Sequence, residues 1–225
     1  MSTYDPRTFK ALTFHDAVPA FREGSDTPRA YLERCLETIA EREPTVKAYV
    51  ALNEDGARAA ADAATQRYQD GRALSPIDGL PISIKDLLET KDMPTQMGCE
   101  AYAGNFPKND NAAVRALREA GAVVLGKTVT AELGGTHPGL TTNPFDATRT
   151  PGGSSSGSAA AVASGWDAHE ERSSDDVISS KNVLQLRPEV AAVLTPSDET
   201  LIAAAVDAMA MAGIAGANDG GGGVC

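Results

Sequence analysis

Helix-forming and strand-forming segments alternate along residues 27–165, and this alternation most restricts the fold of the chain. Thr27-Pro28 is typical of a helix start, with an N-cap residue followed by proline at the first helical position. Apolar residues then recur at helical spacing, and Glu43 and Pro44 are predicted to end this helix. A second, alanine-rich helix is predicted from Glu54 to Asp70, with Gly71 as its stop.

Two short apolar runs are predicted to be buried strands. The segment GLPISIKD at residues 79–86 is typical of a turn followed by a buried strand, and Ala122–Leu125 is typical of a second strand. A helix from Ala112 to Ala120, with Gly121 at its C-terminal end, precedes the second run. Helices that alternate with strands at this spacing indicate an α/β fold.

The sequence changes character after Gly165. Residues 166–225 contain ten acidic and three basic side chains and show little periodicity. We expect one helix at 198–211 and a disordered glycine-rich tail after it. The chain thus divides into an N-terminal extension at 1–26, a regularly patterned region at 27–165 and a divergent acidic segment at 166–225.

Composition excludes several classes of protein and partner. A chain of 225 residues with 42% hydrophobic residues is globular, not collagen-like, coiled-coil or fully disordered. A net charge of −11 argues against binding to nucleic acid or to an anionic membrane surface. Three scattered cysteines make no disulfide framework, and no apolar run approaches the ~20 residues of a membrane span. The start of the chain lacks an apolar signal core, so we expect a cytoplasmic protein.

Residues 121–128, GAVVLGKT, match the phosphate-loop pattern GxxxxGK[ST]. A phosphate loop needs a strand before its first glycine and a flexible loop between its glycines. Here a helix precedes Gly121, and AVVL forms strands readily. We therefore expect a strand followed by a turn at Gly126, and nucleotide binding through Gly121–Thr128 remains a remote alternative.

The segment TPGGSSSGSAAAVASG at residues 150–165 combines a glycine-rich turn with a helix of small residues. Gly152 and Gly153 allow backbone conformations that are closed to other residues. Ser154 and Ser155 follow directly, so hydroxyls and backbone N–H groups gather at a helix N-terminus, where anions and oxyanions are favoured. A flexible Gly/Ser linker is the alternative, although AAAVA follows it directly.

Lys85 lies inside the apolar pattern LPISIKDLL. A buried ammonium group loses its hydration, which lowers the lysine pKa and makes the amine a candidate general base. The alternative is a solvent-facing lysine on an edge strand, paired with Asp86.

Lys85 and the turn at 152–158 together closely resemble the amidase signature family. GLPISIKDLLET is similar to the family's strand that bears the catalytic lysine. MPTQMGCEAY, GAVVLGKTVTAE and TTNPFDATRTPGGSSSGSAAAVASG follow in the family's order, and the helix from Thr27, ending in KAYVAL, resembles its N-terminal region. The resemblance covers roughly residues 10–165, and it accounts for the phosphate-loop match as an ordinary stretch of this family.

The resemblance implies the N-terminal part of a mixed, largely parallel sheet flanked by helices. It implies a Ser–Ser–Lys hydrolase of carbon–nitrogen bonds in small-molecule amides, with no cofactor and no metal. Lys85 would be the base, and Ser154 would be a bridging serine held by a cis peptide bond. Gly152, Gly153 and Ser155 would form the turn or bind substrate.

The segment that should carry the attacking serine departs from the family pattern. The family has a GTDTGGS-like segment about two dozen residues after the bridging serine, where this chain has DDVISSKNVLQLRPE. Ser179 and Ser180 lie near the expected distance, and Ser179 is a weak candidate for an otherwise unknown nucleophile. A truncated or catalytically inactive chain that acts by binding is the alternative. An incomplete sheet would expose an edge, so we expect homo-oligomers or aggregation.

Other candidate residues carry less information. His137 is expected in a loop near the serine turn, where it is either structural or part of a substrate pocket. Asp86 and Glu132 are candidates for orienting Lys85 or capping helices, and Cys99 is expected to be a small core residue. The three histidines have no metal-ligand spacing; they are His15, His137 and His169.

Overall fold

The computed structural model describes residues 14–165, and this part of the chain forms five α-helices, two short 3-10 helices and three strands. The helix predicted at 198–211, the glycine-rich tail, His169, Ser179 and Ser180 lie outside the described residues. In chain order the elements are α1 (Phe14–Glu23), α2 (Pro28–Val46), β1 (Tyr49–Leu52), α3 (Glu54–Gln69), β2 (Pro81–Lys85), α4 (Ala112–Glu119), β3 (Val123–Thr128) and α5 (Ser156–Ala163).

The three strands form one mixed sheet in the order β1-β3-β2. β2 runs parallel to β3, whereas β1 runs antiparallel to it. Buried residues of α2, α3 and α5 pack with Val123 and Leu125 in one core cluster. Val114 of α4 packs with Ile84 and Val124 in a second cluster. The predicted α/β fold, with helices around a mixed sheet, is confirmed.

Most of the predicted helix boundaries are confirmed. The Thr27 hydroxyl accepts a hydrogen bond from the Ala30 N–H at 3.1 Å, and Pro28 is the first residue of α2. Gly71 and Gly121 follow α3 and α4 with φ angles of 66° and 96°. These left-handed angles favour glycine, which is why both positions signal a helix end in the sequence.

The predicted end of the first helix is wrong, because α2 continues through Pro44 to Val46. A proline in the last turn removes only one helical hydrogen bond, while Val46 is buried in the core. The KAYVAL segment is not the end of the helix either, since its last four residues form β1. The Glu43 carboxylate accepts the Ala48 and Tyr49 N–H groups at 2.9 Å each, which guides the chain from helix into strand.

The helix α1 lies within residues 1–26, where no helix is predicted. Its aromatic side chains join those of α2 and α3 in a buried cluster. The Phe14 ring lies 5.7 Å from the Tyr31 ring in an edge-on arrangement, and the Phe21 ring lies 5.5 Å from that of Tyr68. Such pairs contribute beyond the area they bury, so α1 is packed as part of the same body.

The turn predicted at Gly126 is wrong, because β3 continues through this residue to Thr128. A Cβ atom on Gly126 would lie 2.7 Å from the Ala51 carbonyl oxygen and 2.8 Å from Cδ1 of Tyr49. Tyr49 extends from β1 across β3, and its hydroxyl oxygen lies 2.5 Å from Oγ of Ser83 on β2. Glycine at 126 therefore leaves room for this crossing side chain.

β3 also contains a bulge that changes which way its last residues face. The partners of Ile82 and Ser83 on β3 are Val124 and Gly126, so Leu125 is an extra residue in the pairing. Regular alternation would place Lys127 on the same face as Leu125. Instead Lys127 contacts Thr95 on the opposite side, and the next residue of β3, Thr128, faces α5.

The space above Gly126 provides a test of this packing. We expect Gly126→Ala to lower the free energy of unfolding by about 1–3 kcal/mol, because the added methyl group meets backbone and a packed ring. Val50→Ala, at an exposed position on β1, is the matched control and should change it by less than about 0.5 kcal/mol. Urea denaturation measures both, and equal stability of Gly126→Ala and wild type would contradict the crossing of Tyr49.

Candidate active site

Lys85 and Ser154 are in direct contact, although 69 positions separate them in the chain. Lys85 is the last residue of β2, and only 4% of its surface is exposed. Its Nζ atom donates a hydrogen bond to Oγ of Ser154 at 2.7 Å. The fold thus brings together a lysine and a serine that the sequence singled out separately.

Ser154 lies in a tight turn that leads into α5. Gly152 has a φ angle of 89°, and the peptide bond between Gly153 and Ser154 is cis, as the family resemblance implies. The Ser154 carbonyl oxygen accepts the Ala131 N–H at 2.9 Å, and the residue is buried. Ser155 is the N-cap residue of α5, and Gly152 and Gly153 are exposed at the turn.

Gly157 fixes the start of α5 against the end of β3, a role that is not predicted from the sequence. A Cβ atom there would collide with the Ala48 carbonyl oxygen and the Val129 nitrogen. Its own N–H donates to the Val129 carbonyl oxygen at 2.9 Å. Because Ala160 and Ala161 are fully buried, the segment is a packed helix and the linker alternative is wrong.

Burial lowers the pKa of Lys85 from 10.5 to about 8, because the charged ammonium loses its hydration. The helix α5 packs on this side of the sheet and consists only of serine, glycine, alanine and valine. It therefore brings hydroxyl groups and no carboxylate toward the amine. A neutral lysine amine next to a serine hydroxyl can accept the proton of that hydroxyl.

Residues 30–167 match the sequence model of the family described as Amidase, which is more than half of the chain. The chain belongs to the amidase family. It is 44% identical over 160 residues to a subunit of the glutamyl-tRNA(Gln) amidotransferase of Chloroflexus aurantiacus, a match that covers 68% of this chain and 33% of that protein. The corresponding chloroplastic/mitochondrial protein of Zea mays is 39% identical over 166 residues, which are 70% of this chain and 30% of that protein.

Solved amidase structures share the fold of the described region. The peptide amidase of Stenotrophomonas maltophilia aligns with a TM-score of 0.65 and 32% identity, over 72% of this chain and 36% of that one. The crystal structure of another amidase aligns with a TM-score of 0.62 and 38% identity, over 69% and 37% of the two chains. The chain spans about a third of the length of the curated relatives it matches.

In this member of the amidase family Asp86 does not pair with Lys85. Its carboxylate lies on the other side of the sheet, 3.0 Å from Nζ of Lys127, and both side chains are fully buried. The alternative of a solvent-facing Lys85 paired with Asp86 is therefore wrong. Neighbouring residues of a strand point to opposite faces, which separates the two side chains.

Lys127 is a second buried lysine, which the sequence reasoning missed. Its Nζ atom donates to the Pro94 carbonyl oxygen at 3.0 Å and to Oγ1 of Thr95 at 2.6 Å. The signal was present, since Lys127 interrupts an apolar strand just as Lys85 does. Residues 123–128 form a strand that pairs with β2, and its last three residues also pair with β1, so the stretch that matches a phosphate loop does not form one.

Two loop segments are hydrogen-bonded to the end of β2 and to the turn that carries Ser154. Met97 and Leu133 are non-glycine residues with left-handed φ angles of 58° and 50°, which is uncommon outside constrained sites. The Leu133 N–H donates to the Met97 carbonyl oxygen at 2.8 Å, so the two residues hold each other.

The remaining candidate residues are exposed or half-buried. Glu132 and His137 are exposed, and the Glu132 N–H donates to the His137 carbonyl oxygen at 3.0 Å within a loop. Cys99 is half-buried, so its assignment to the core is wrong. The two residues before it turn in left-handed conformations.

Within residues 14–165 no His, Cys, Asp and Glu side chains group in threes in a way that could hold a metal ion. No helix in the same part of the chain is both long and apolar enough to cross a membrane.

The lowered pKa of Lys85 predicts a pH-dependent stability. Between about pH 8 and 10.5 the unfolded chain keeps a proton on Lys85 that the folded protein has lost, so rising pH stabilises the fold. Lys85→Met removes this dependence. At pH 7 this variant should be more stable than wild type. We expect the difference in the free energy of unfolding to shrink by up to about 3 kcal/mol from pH 7 to pH 10.

Urea denaturation at several pH values measures this difference. Lys91→Met is the matched control because the Lys91 side chain is 59% exposed, and its difference from wild type should not follow the same curve. A pH-independent difference between Lys85→Met and wild type would contradict the lowered pKa.

Proposed function

We propose that this chain hydrolyses the carbon–nitrogen bond of small amides, with Lys85 as general base and Ser154 as the bridge that carries protons to it. The observation behind this proposal is the 2.7 Å contact between the buried Lys85 amine and the Ser154 hydroxyl. Family membership supports the same chemistry, and the relatives include a peptide amidase and part of an amidotransferase.

Burial increases the fraction of Lys85 that is in the neutral state that a base requires. At pH 7 a lysine with a pKa of about 8 is neutral in roughly one molecule in ten, against fewer than about one in a thousand at its ordinary pKa. The neutral amine can then accept a proton from Ser154 along the existing hydrogen bond. No large movement of either side chain is needed for this transfer.

The proposed reaction has two stages. A serine hydroxyl attacks the amide carbonyl carbon while its proton passes to Ser154, whose own proton passes to Lys85. The carbon–nitrogen bond breaks, the amine leaves with a proton returned along the same path, and an ester to the attacking serine remains. Water then attacks this ester through the same relay, which releases the carboxylic acid and restores the serine.

The attacking serine is assigned outside the described residues. Within residues 14–165 the hydrogen bond recorded for the Lys85 amine goes to Ser154. Ser179, and after it Ser180, are proposed as nucleophiles because they lie near the distance from Ser154 that the family resemblance implies. Gly152, Gly153 and Ser155 are proposed to form the substrate side of the turn, where the two glycines are exposed.

Hydrolysis by the purified chain tests the relay. We expect Lys85→Met and Ser154→Ala to lower kcat/KM by about 10²–10⁴, because each removes a proton-transfer group. In wild type kcat/KM should rise with pH through about 8, as the Lys85 amine becomes neutral. The assay uses a primary amide, a peptide amide and an anilide, with release of the amine as readout.

Two variants serve as matched controls for the hydrolysis assay. Lys91→Met changes an exposed lysine. Ser75→Ala changes a serine that precedes β2 in the chain and donates to the Ala120 carbonyl oxygen. Both should keep most of the activity. Loss of activity in Ser75→Ala equal to that in Ser154→Ala would point to general destabilisation and contradict the specific role of Ser154.

Labelling with a fluorophosphonate identifies the attacking serine. We expect the label on a single serine other than Ser154, with Ser179 the first candidate, and we expect labelling to be lost in Lys85→Met. A label on Ser154 itself would make it the nucleophile and overturn its role as a bridge. Absence of both labelling and hydrolysis, beside a full-length amidase that shows both, would support the alternative of an inactive chain that acts by binding.

A further inference from the structure

Two buried carboxylates lie at the two ends of β2, and each is paired with a cation from another element. Asp78, just before β2, pairs with Arg67 of α3 at 2.5 Å. Asp86, just after β2, pairs with Lys127 of β3 at 3.0 Å. Both carboxylates are almost completely inaccessible to solvent. Only the second pair includes the residue next to Lys85 in the chain, so the first pair can serve as a comparison.

The Asp86–Lys127 pair holds the segment at residues 94–97 against the sheet. Lys127 donates to the Pro94 carbonyl oxygen and to Oγ1 of Thr95. The Asp86 carboxylate accepts the Gln96 N–H at 3.1 Å and the Met97 N–H at 3.0 Å. The two charged groups therefore fix four consecutive residues through direct hydrogen bonds.

This segment is connected to Ser154 through backbone hydrogen bonds. The Met97 carbonyl oxygen accepts the Leu133 N–H, and the nearby Ala131 N–H donates to the Ser154 carbonyl oxygen. At the other end the Asp86 N–H donates to the Thr128 carbonyl oxygen at 3.0 Å, directly after Lys85. The ion pair is thus attached to the lysine side and to the serine side of the same contact.

We propose that Asp86 and Lys127 are positioning residues, which hold Lys85 and Ser154 at hydrogen-bond distance and keep water from the lysine amine. The inference rests on the proposed function for the use that this positioning serves. A buried ion pair contributes little net stability compared with apolar side chains, because both ions lose hydration. A role in fixing one arrangement of Lys85 and Ser154 explains why the ion pair is present here.

The charged groups around the two lysines are different. Burial lowers the pKa of Lys127, and the carboxylates of Asp86, Asp92 and Glu89 act in the opposite direction. Asp92 is itself paired with Arg118. On the Lys85 side of the sheet, by contrast, α5 contributes hydroxyl groups and no charge. Tyr49 of β1 contributes another hydroxyl, which contacts Oγ of Ser83. A variant that removes both Asp86 and Lys127 leaves the net charge unchanged, so its effect on Lys85 reports positioning.

The test measures the pKa of Lys85 by NMR in protein labelled with ¹³C at lysine Cε, with the Lys85 signal assigned by its loss in Lys85→Met. In Asp86→Asn/Lys127→Met we expect this pKa to rise by at least about half a unit, because a looser contact admits water. Asp78→Asn/Arg67→Met is the matched control, since it removes an ion pair with an equally buried carboxylate away from the site. It should lower stability and leave the Lys85 pKa unchanged.

Each outcome decides the proposal. An unchanged pKa in the folded Asp86→Asn/Lys127→Met variant overturns it, and so does an equal rise in the control variant. If the double variant does not fold, Thr95→Val removes only one hydrogen bond to Lys127 and should give a smaller rise, whereas no rise overturns the proposal. The readout needs no turnover, so a chain without hydrolysis whose Lys85 pKa still depends on the pair would refute the proposed function alone.

Discussion

The contact between the Lys85 amine and the Ser154 hydroxyl depends on the burial of a lysine that forms no ion pair within residues 14–165. Desolvation lowers its pKa to about 8, which costs folding free energy whenever the amine is charged. The rest of the described structure must therefore keep the two side chains in contact and the amine buried. The end of β2 supplies the lysine, and the turn before α5 supplies the serine.

A bulge in β3 gives the two buried lysines different environments. Because Leu125 is an extra residue in the pairing, Lys127 faces Asp86 and Thr95 while Thr128 faces α5. Lys127 therefore has a carboxylate partner, whereas Lys85 has a hydroxyl. One sheet thus combines a structural ion pair on one face with a candidate base on the other, and the bulge separates them.

Local signals predicted α2, α3, α4 and the glycine-rich turn that leads into α5, because their causes lie within a few residues. Thr27 caps α2 with its own hydroxyl, and Gly71 and Gly121 adopt left-handed angles that favour glycine. Other features were missed because their causes are distant in the chain. Gly126 looked like a turn, yet it leaves room for a tyrosine from another strand. The role of Gly157 likewise depends on the backbone at Ala48 and Val129.

The sequence alone determined the α/β class, the family resemblance and the two residues of the candidate site. Those signals are periodicity, caps and motifs, which are properties of neighbouring residues. Only the tertiary structure decided that Lys85 is buried against Ser154, and that Asp86 pairs with Lys127 instead. The physical reason is that burial and charge pairing depend on which elements pack together. The pKa of Lys85, on which the proposed chemistry depends, is thus a property of the fold.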